Sequence, residues 1–399
     1  LAGNREEQDM ANEAGRAGKA IAGADHASGI LPCQDIAELI TGDVVGLAAP
    51  QDEGQIQPAS LDLRLGDVAY RVRASFLPGP GARVSAKLDE LALHKIDLSS
   101  GAVLETGCVY VVPLLEQLNL PAHLSASANP KSSTGRLDVF TRVITDGVAA
   151  FDQIPAGHKG QLYAEICPQT FPVLVRRGSK LTQLRFRMGD PLESDAALAA
   201  LHDKRPLVSG ETADIAGGIA LSVDLSPELH NGRQPDELAL VGYRAKRNTG
   251  VVDMDRPGSC AIDDYWEPLR LRDGQRRLIL DPDQFYILAS KELISIPPTH
   301  AAEMLPFNPL VGEFRVHYAG FMDPGFGFAA PGDGTAVGNS GARVVLEVRS
   351  HKVPFILEDG QIIGRLVYER MRDLPDRLYG ADLKSNYQGQ GLKLSKHFR

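Results

Sequence analysis

From Ile30 onward the chain is built of short runs in which apolar and polar residues alternate. "VAYRVR", "CVYVVPL", "GQLYAEI" and "TQLRFRM" are separated by Gly, Pro and Asp. A period of two sends successive side chains to opposite faces of a strand. Many such strands punctuated by turn residues predict a sandwich or barrel. "CQDIAELI" departs from this pattern, and its apolar spacing fits a helix. The fold predicted is therefore mainly all-β with a few short helices. Residues 1–29 are rich in Ala, Gly and charge with few large apolar side chains. Such a segment cannot bury enough surface to offset its ordering entropy, so a flexible tail is expected.

The pattern then repeats. "PASLDLRLG" is similar to "ALSVDLSPE", which sets Asp62 against Asp224. "LETGCVYVVPLLEQLNLP" is similar to "LDPDQFYILASKELISIP", with Tyr110, Glu116 and Pro121 against Tyr286, Glu292 and Pro297 at an offset of 176. "QLYAEICPQTFPVLVRRGSKLTQLRF" matches "RVVLEVRSHKVPFILEDGQIIGRLVY", with Glu165, Pro172 and Gly178 against Glu347, Pro354 and Gly360 at an offset of 182. Three blocks in one order signal an internal duplication. The expected organisation is a first β domain over 30–208, a second over 209–383 and a C-terminal segment over 384–399.

A chain of 399 residues that is 43% hydrophobic can hold two ordinary cores. Its longest apolar runs fall short of a membrane helix, and no basic-then-apolar leader opens it, so a cytoplasmic protein without membrane association is expected. Cys33, Cys108, Cys167 and Cys260 lie far apart without a CxxC pair, which suggests neither a disulfide framework nor a zinc knuckle. The net charge of -9 argues against a nucleic-acid partner. It leaves room for a small anion in a local basic pocket.

"NPKSSTGRLDVF" offers such a pocket, with Lys131, Ser132, Ser133 and Arg136 within one short turn. At the offset of 176 these residues fall opposite Phe307, Asn308, Pro309 and Gly312. A turn that served only the fold would keep polar character in both copies, so its loss from one points to a ligand-facing role in the other. The plain alternative is a solvated Ser/Gly turn.

"QPASLDLRLG", "KSSTGR", "YAGFMDPGFG" followed by "ARVVLEV", and the terminal "KSNYQGQG" together resemble the successive motifs of dCTP deaminases, members of the dUTPase-like superfamily. The resemblance covers most of residues 30–399, as two tandem copies where the usual deaminase is a single-copy chain forming a trimer. It implies a distorted β-barrel or jelly-roll fold for each copy and hydrolysis of dCTP to dUTP and ammonia, which supplies dUTP for thymidylate synthesis. It also implies Mg²⁺ carried by the substrate phosphates, with no metal held by a side chain, and a homo-oligomer. The nucleotides implied are dCTP and dUTP, with feedback by dTTP left open. Lys131 departs from the family, which usually has arginine there; a lysine keeps the charge but not the bidentate fork.

By the same resemblance Glu347 is the catalytic base, and its apolar strand neighbours would desolvate it and raise its pKa. Ser132, Ser133 and Lys131 contact phosphates, while one serine and Arg136 reach the catalytic water. Asp323 and Phe326 sit in the hairpin that receives base and sugar. Lys384, Tyr387, Gln388 and Gln390 lie in a terminal lid, a polar and basic segment expected to bury little apolar surface and to add little to stability. Zinc deaminases need an HxE and a later PCxxC; neither occurs, so no zinc is expected. A composite site is expected, joining Glu347 and Asp323 to the Lys131–Arg136 turn. The alternative base is Glu165, beside the loop holding Asp152, acting with that turn from a neighbouring chain. Two other functions stay open: a dUTP diphosphatase or bifunctional enzyme with Asp323 activating water, and a non-catalytic dNTP-binding module.

Overall fold

The structure is a computed structural model that describes residues 28–210, 213–226, 238–272, 274–306, 314–317, 320–329, 341–350, 352–380 and 391–399. Most of the N-terminal tail lies outside the described residues, as do Phe307 to Gly312 and the lid residues Lys384, Tyr387, Gln388 and Gln390.

The chain is all-β in the main. In the first half, Gly29–Ile30, Lys180–Met188, Leu124–Pro130 and Gln153–Ile154 form one sheet, joined by Leu61–Arg64. A second sheet runs Ala92–Asp97, Val68–Val72, Val109–Asn119, Lys159–Pro168, Val139–Thr145. Leu63, Ala126 and Leu184 from the first sheet share one core with Val112, Val143 and Ala164 from the second, as the alternation requires. The second half repeats the plan with Ile219–Ser222, Ile362–Arg370, His300–Pro306 and Phe321–Met322 in one sheet. Trp266–Leu271, Ala239–Ala245, Phe285–Ile294, Ala342–Ser350 and Phe314–His317 form the other. The helices are short; Cys33–Thr41 covers the stretch predicted from "CQDIAELI".

The duplication holds at the level of register. Glu165 stands opposite Val111, and Glu347 stands opposite Ile287, its repeat equivalent. Even single hydrogen bonds recur: the Glu105 amide donates to the Tyr110 hydroxyl at 3.1 Å, and the Asp281 amide to the Tyr286 hydroxyl at 2.9 Å. The four cysteines are free thiols, three of them buried.

The copies diverge where they meet. In the first half, Val173–Val175 pairs with Ala102–Leu104 and also with Val252–Asp253 from the second half. Beside it Phe171, fully buried, packs edge-on against Tyr265 and Trp266 at 5.6 and 5.4 Å and against Phe398 at 6.1 Å. In the second half the matching position is Val353, 47% exposed.

Residues 391–399 correct the expectation that the terminal segment buries little. Leu394 lies in the first core, His397 is fully buried, and Phe398 closes the aromatic cluster. The Gly258 and Cys260 amides donate to the Lys396 and His397 carbonyls at 3.0 Å each. The three apolar residues Leu392, Leu394 and Phe398, spread among lysines, escape a reading by composition.

A second junction is ionic. Arg185, fully buried, donates from Nη1 to the Ala302 carbonyl at 3.1 Å and to Glu369 at 3.2 Å. Its Nη2 donates to the Met322 carbonyl at 3.3 Å and to Asp323 at 3.2 Å. Arg187 holds Glu369 at 2.6 Å and Glu303 at 3.1 Å, and Asn129 donates to Glu303 at 3.0 Å.

Because Phe171 is locked between the halves, Phe171→Ala should cost about 3–5 kcal/mol, the usual range for a buried Phe→Ala. The repeat-equivalent Val353→Ala, on an exposed side chain, should stay within about 0.5 kcal/mol. Urea unfolding midpoints of the two variants provide the comparison, and equal losses would show that the junction is not where Phe171 acts.

Candidate functional site

Strand Leu124–Pro130 ends in proline, and the chain then makes one helical turn, Ser132–Gly135. Serine, threonine and glycine are poor at extending a helix, and Asp138 at φ 57° ends it. The Lys131 amide donates to the Leu181 carbonyl at 3.0 Å, which pins the turn to the neighbouring strand. Ser133, Thr134 and Arg136 are buried, while Lys131 and Ser132 remain partly accessible.

The turn faces the second half. Glu347 lies on the inner strand Ala342–Ser350, paired on both sides and flanked by the fully buried Leu346 and Val348. Arg136 Nε stands 3.8 Å from Glu347 Oε1, with both side chains almost wholly buried. That separation is too long for a hydrogen bond but close enough for strong charge attraction. Burial pushes the Glu347 carboxyl up to about 8, and Arg136 opposes the rise. Arg136 Nη1 meanwhile donates to the Lys393 carbonyl at 3.0 Å.

At the other end of the turn, Lys131 Nζ pairs with Asp62. The second oxygen of Asp62, Oδ1, is buried without a partner among the described residues. Asp323 is close enough for both groups to act on its titration; burial is the main cause raising its pKa, outweighing Arg185. The hairpin carrying Asp323 depends on two glycines. Gly325 has φ 97° and a Cβ there would meet the Tyr379 carbonyl at 2.9 Å, and Gly327 has φ 64° with the Ile294 carbonyl 2.1 Å from its would-be Cβ. Phe326 is buried against Tyr379, ring centroids 5.5 Å apart.

Within one chain, then, the structure brings Lys131, Ser132, Ser133 and Arg136 to Glu347 and Asp323. Glu165 stands apart from them. It is 1% exposed and takes a 2.5 Å hydrogen bond from Arg142, whose guanidinium stacks 3.4 Å from the centroid of Phe151. Nearby Asp152 is pushed up to about 7, chiefly by burial, and accepts from the Val143 amide at 2.7 Å.

Sequence reasoning missed four contributors. Asp62 is noted in the sequence only as a repeat marker, and Arg185 is one of two alternating arginines in "TQLRFRM", a pattern shared by any solvated strand face. Tyr379 carries no local signal. Lys396 is grouped with a basic tail, yet it is half-buried in the field of Lys131 and Asp62; burial lowers its pKa, and the like charge of Lys131 lowers it further.

The chain matches two family models. Residues 27–190 match the 2'-deoxycytidine 5'-triphosphate deaminase (DCD) N-terminal domain, and residues 194–398 the C-terminal domain of the same family. A "dCTP deaminase, dUMP-forming" of Corynebacterium glutamicum (strain R) is 32% identical over 180 residues, 44% of this chain and 89% of the relative. A "dCTP deaminase" of Halorubrum lacusprofundi is 28% identical over 160 residues, 39% of this chain and 76% of the relative. The crystal structure of 2'-deoxycytidine 5'-triphosphate deaminase from Agrobacterium tumefaciens is 57% identical, covers 88% of this chain and 99% of its own, and superposes with a TM-score of 0.79.

The raised pKa of Glu347 has a consequence for stability. Its folded value, about 8, lies above the ordinary 4.5, so the folded state keeps a proton that the unfolded chain releases. Stability linked to this group is therefore fully present below about 4.5 and is lost as pH rises towards 8. Glu347→Gln imitates the protonated form at every pH. Its melting midpoint should match the parent near pH 4, below the unfolded value, and exceed it by a growing margin up to pH 8. A margin that does not change with pH would show that the Glu347 carboxyl ionises normally.

Proposed function

The chain belongs to the dCTP deaminase family, and from that premise we propose that it hydrolytically deaminates dCTP to dUTP and ammonia. The observation that supports this most directly is the buried Arg136–Glu347 contact, assembled from the two halves of one chain. Deamination needs a group that takes a proton from water and then gives one up, and a carboxyl near neutrality suits both tasks.

In the proposed reaction a water oxygen bonds to C4 of cytosine while Glu347 takes its proton and passes it to N3. The hydroxyl proton then moves through Glu347 to the amino nitrogen, the C4–N bond breaks, and ammonia leaves a C4 carbonyl behind. Arg136 holds the carboxylate form of Glu347 in a site where burial disfavours it. Ser132 and Ser133 position water and phosphate, Lys131 and Lys396 meet the polyanion by charge-assisted hydrogen bonds, and the Asp323–Phe326 hairpin receives base and sugar. Lys384, Tyr387, Gln388 and Gln390 are proposed to complete the triphosphate contacts.

Mg²⁺ fits this site. It is a hard cation that keeps several waters and binds phosphate oxygens with one or two carboxylates, and it neutralises triphosphate charge. Asp62, whose Oδ1 is the orphaned buried oxygen beside the phosphate-facing cations, is the residue that would stand next to it. Zinc is not part of the proposal, so turnover should survive a zinc chelator in excess magnesium; loss of turnover that zinc alone restores would overturn this.

A second reading, formation of dUMP, is favoured by the name of the Corynebacterium glutamicum relative. It would ask Asp323 to activate water, but Arg185 already holds that carboxyl and burial favours its neutral form. Incubation with dCTP and Mg²⁺ separates the two: ammonia with intact triphosphate supports deamination alone, and pyrophosphate with dUMP supports both steps. Glu347→Gln should bind dCTP while turnover falls by about 10² to 10⁴, the usual share of general acid-base catalysis. Near-normal turnover would remove Glu347 from the role and return it to Glu165.

A further inference from the structure

The terminal residues 391–399 do more than fill the core. They meet the Ser132–Gly135 turn and the Arg136 that follows it at two polar points. The Lys393 carbonyl accepts from Arg136 Nη1 at 3.0 Å, and Ser395 Oγ donates to the Ser133 carbonyl at 2.8 Å. Ser395 is 2% exposed and is held in turn by His397, whose Nδ1 lies 2.9 Å from Ser395 Oγ. His397 Nε2 lies 2.9 Å from the Met254 carbonyl. Burial lowers the His397 pKa and favours the neutral ring; a carbonyl only accepts, so Nε2 carries its one proton and Nδ1 accepts from the serine hydroxyl, which is shared between Nδ1 and the Ser133 carbonyl. Leu394 and Phe398, packed in the core on either side, fix the height of this chain of contacts.

We infer that Ser395 is a positioning residue for the reaction, holding the Ser133 turn and the Lys393 carbonyl so that the Arg136 guanidinium is aimed at Glu347. The inference rests on the reading of Glu347 as the base. Two facts of geometry make the coupling tight. Arg136 is itself 3% exposed, with no open solvent to settle into, and its carbonyl partner lies only two residues from Ser395 in the chain. Arg136 is also the charged side chain that acts on Glu347 among the described residues. Release of the Ser395 contact would let the turn and the Lys393 carbonyl drift apart and weaken the pull of Arg136 on the carboxyl.

Ser395→Ala in the full chain is the test, read as a kcat against KM split and as a pH profile of kcat/KM for dCTP. The expected result is a fall in kcat of about tenfold to a hundredfold, the cost of misplacing a catalytic group by about 1 Å, with KM little changed. The acid limb of the profile should move to higher pH by up to about one unit, because an opposite charge at this range lowers a carboxyl pKa by about one to three units and part of that is lost. A role in folding alone would lower the melting midpoint and leave the limb in place. Ser395→Cys is the second variant should Ala fold poorly: it keeps the volume but donates weakly, and should move kcat and the limb in the same direction by less. An unmoved limb with kcat within twofold of the parent in a folded variant would overturn the inference, provided Glu347→Gln is inactive. An active Glu347→Gln would instead overturn the reading on which it rests.

Discussion

A guanidinium sealed from water between two halves of a chain must find its acceptors there, and Arg185 finds all of those for its two terminal nitrogens on the second half. Its fork is rigid and planar, so the acceptors have to come to it in one geometry. Two of them, the Met322 carbonyl and the Asp323 carboxylate, belong to the start of the hairpin, and a third is Glu369 on the strand behind. Breaking such a pair by removing one partner typically costs about 3–5 kcal/mol, since a buried charge is left uncompensated. The hairpin is thereby fixed relative to the strand Lys180–Met188, whose first residues in turn pin the Lys131 turn through the Leu181 carbonyl. One buried cation sets the distance between the two parts of the site.

Duplication supplied the same glutamate twice at the same register, and its surroundings gave each copy a different chemical fate. Glu347 faces Arg136 from the other half at 3.8 Å, without a direct hydrogen bond, in a pocket that favours its protonated form. Glu165 is covered by Arg142 from its own sheet, directly hydrogen-bonded and stacked on Phe140 and Phe151. A carboxylate locked to a neighbouring guanidinium is a structural ion pair, whereas one kept at the edge of ionisation is suited to moving protons. The difference arises from the neighbouring arginine each copy meets: one from a polar turn of the other half, held off at 3.8 Å, and one from the adjacent strand of its own sheet, in direct contact.

The end of the chain illustrates how composition misleads. "GLKLSKHFR" reads as a basic tail because its charges are conspicuous and its apolar residues are isolated. In space the same residues alternate, with Leu394 turned to the core, the Arg136-bound carbonyl and Ser395 turned to the turn, and Lys396 turned to Lys131 and Asp62. Four residues thus serve packing, positioning and charge together.

The sequence by itself determined the class of fold, since the period-two alternation admits strands and little else, and it determined the duplication, since offsets of 176 and 182 survive as strand register. It also exposed the Lys131–Arg136 turn, because local chemistry that one copy keeps and the other lacks is visible without coordinates. The tertiary structure alone decided that Arg136 meets Glu347, that Arg142 covers Glu165, that Arg185 is buried rather than solvated, and that the last nine residues dock. Each of these depends on contacts between positions far apart in sequence, such as 136 with 347 and 133 with 395. An alternating charge or a lysine-rich end has the same local pattern whether it faces water or another half of the chain. Periodicity records which residues share a face, and only the assembled chain settles what lies opposite that face.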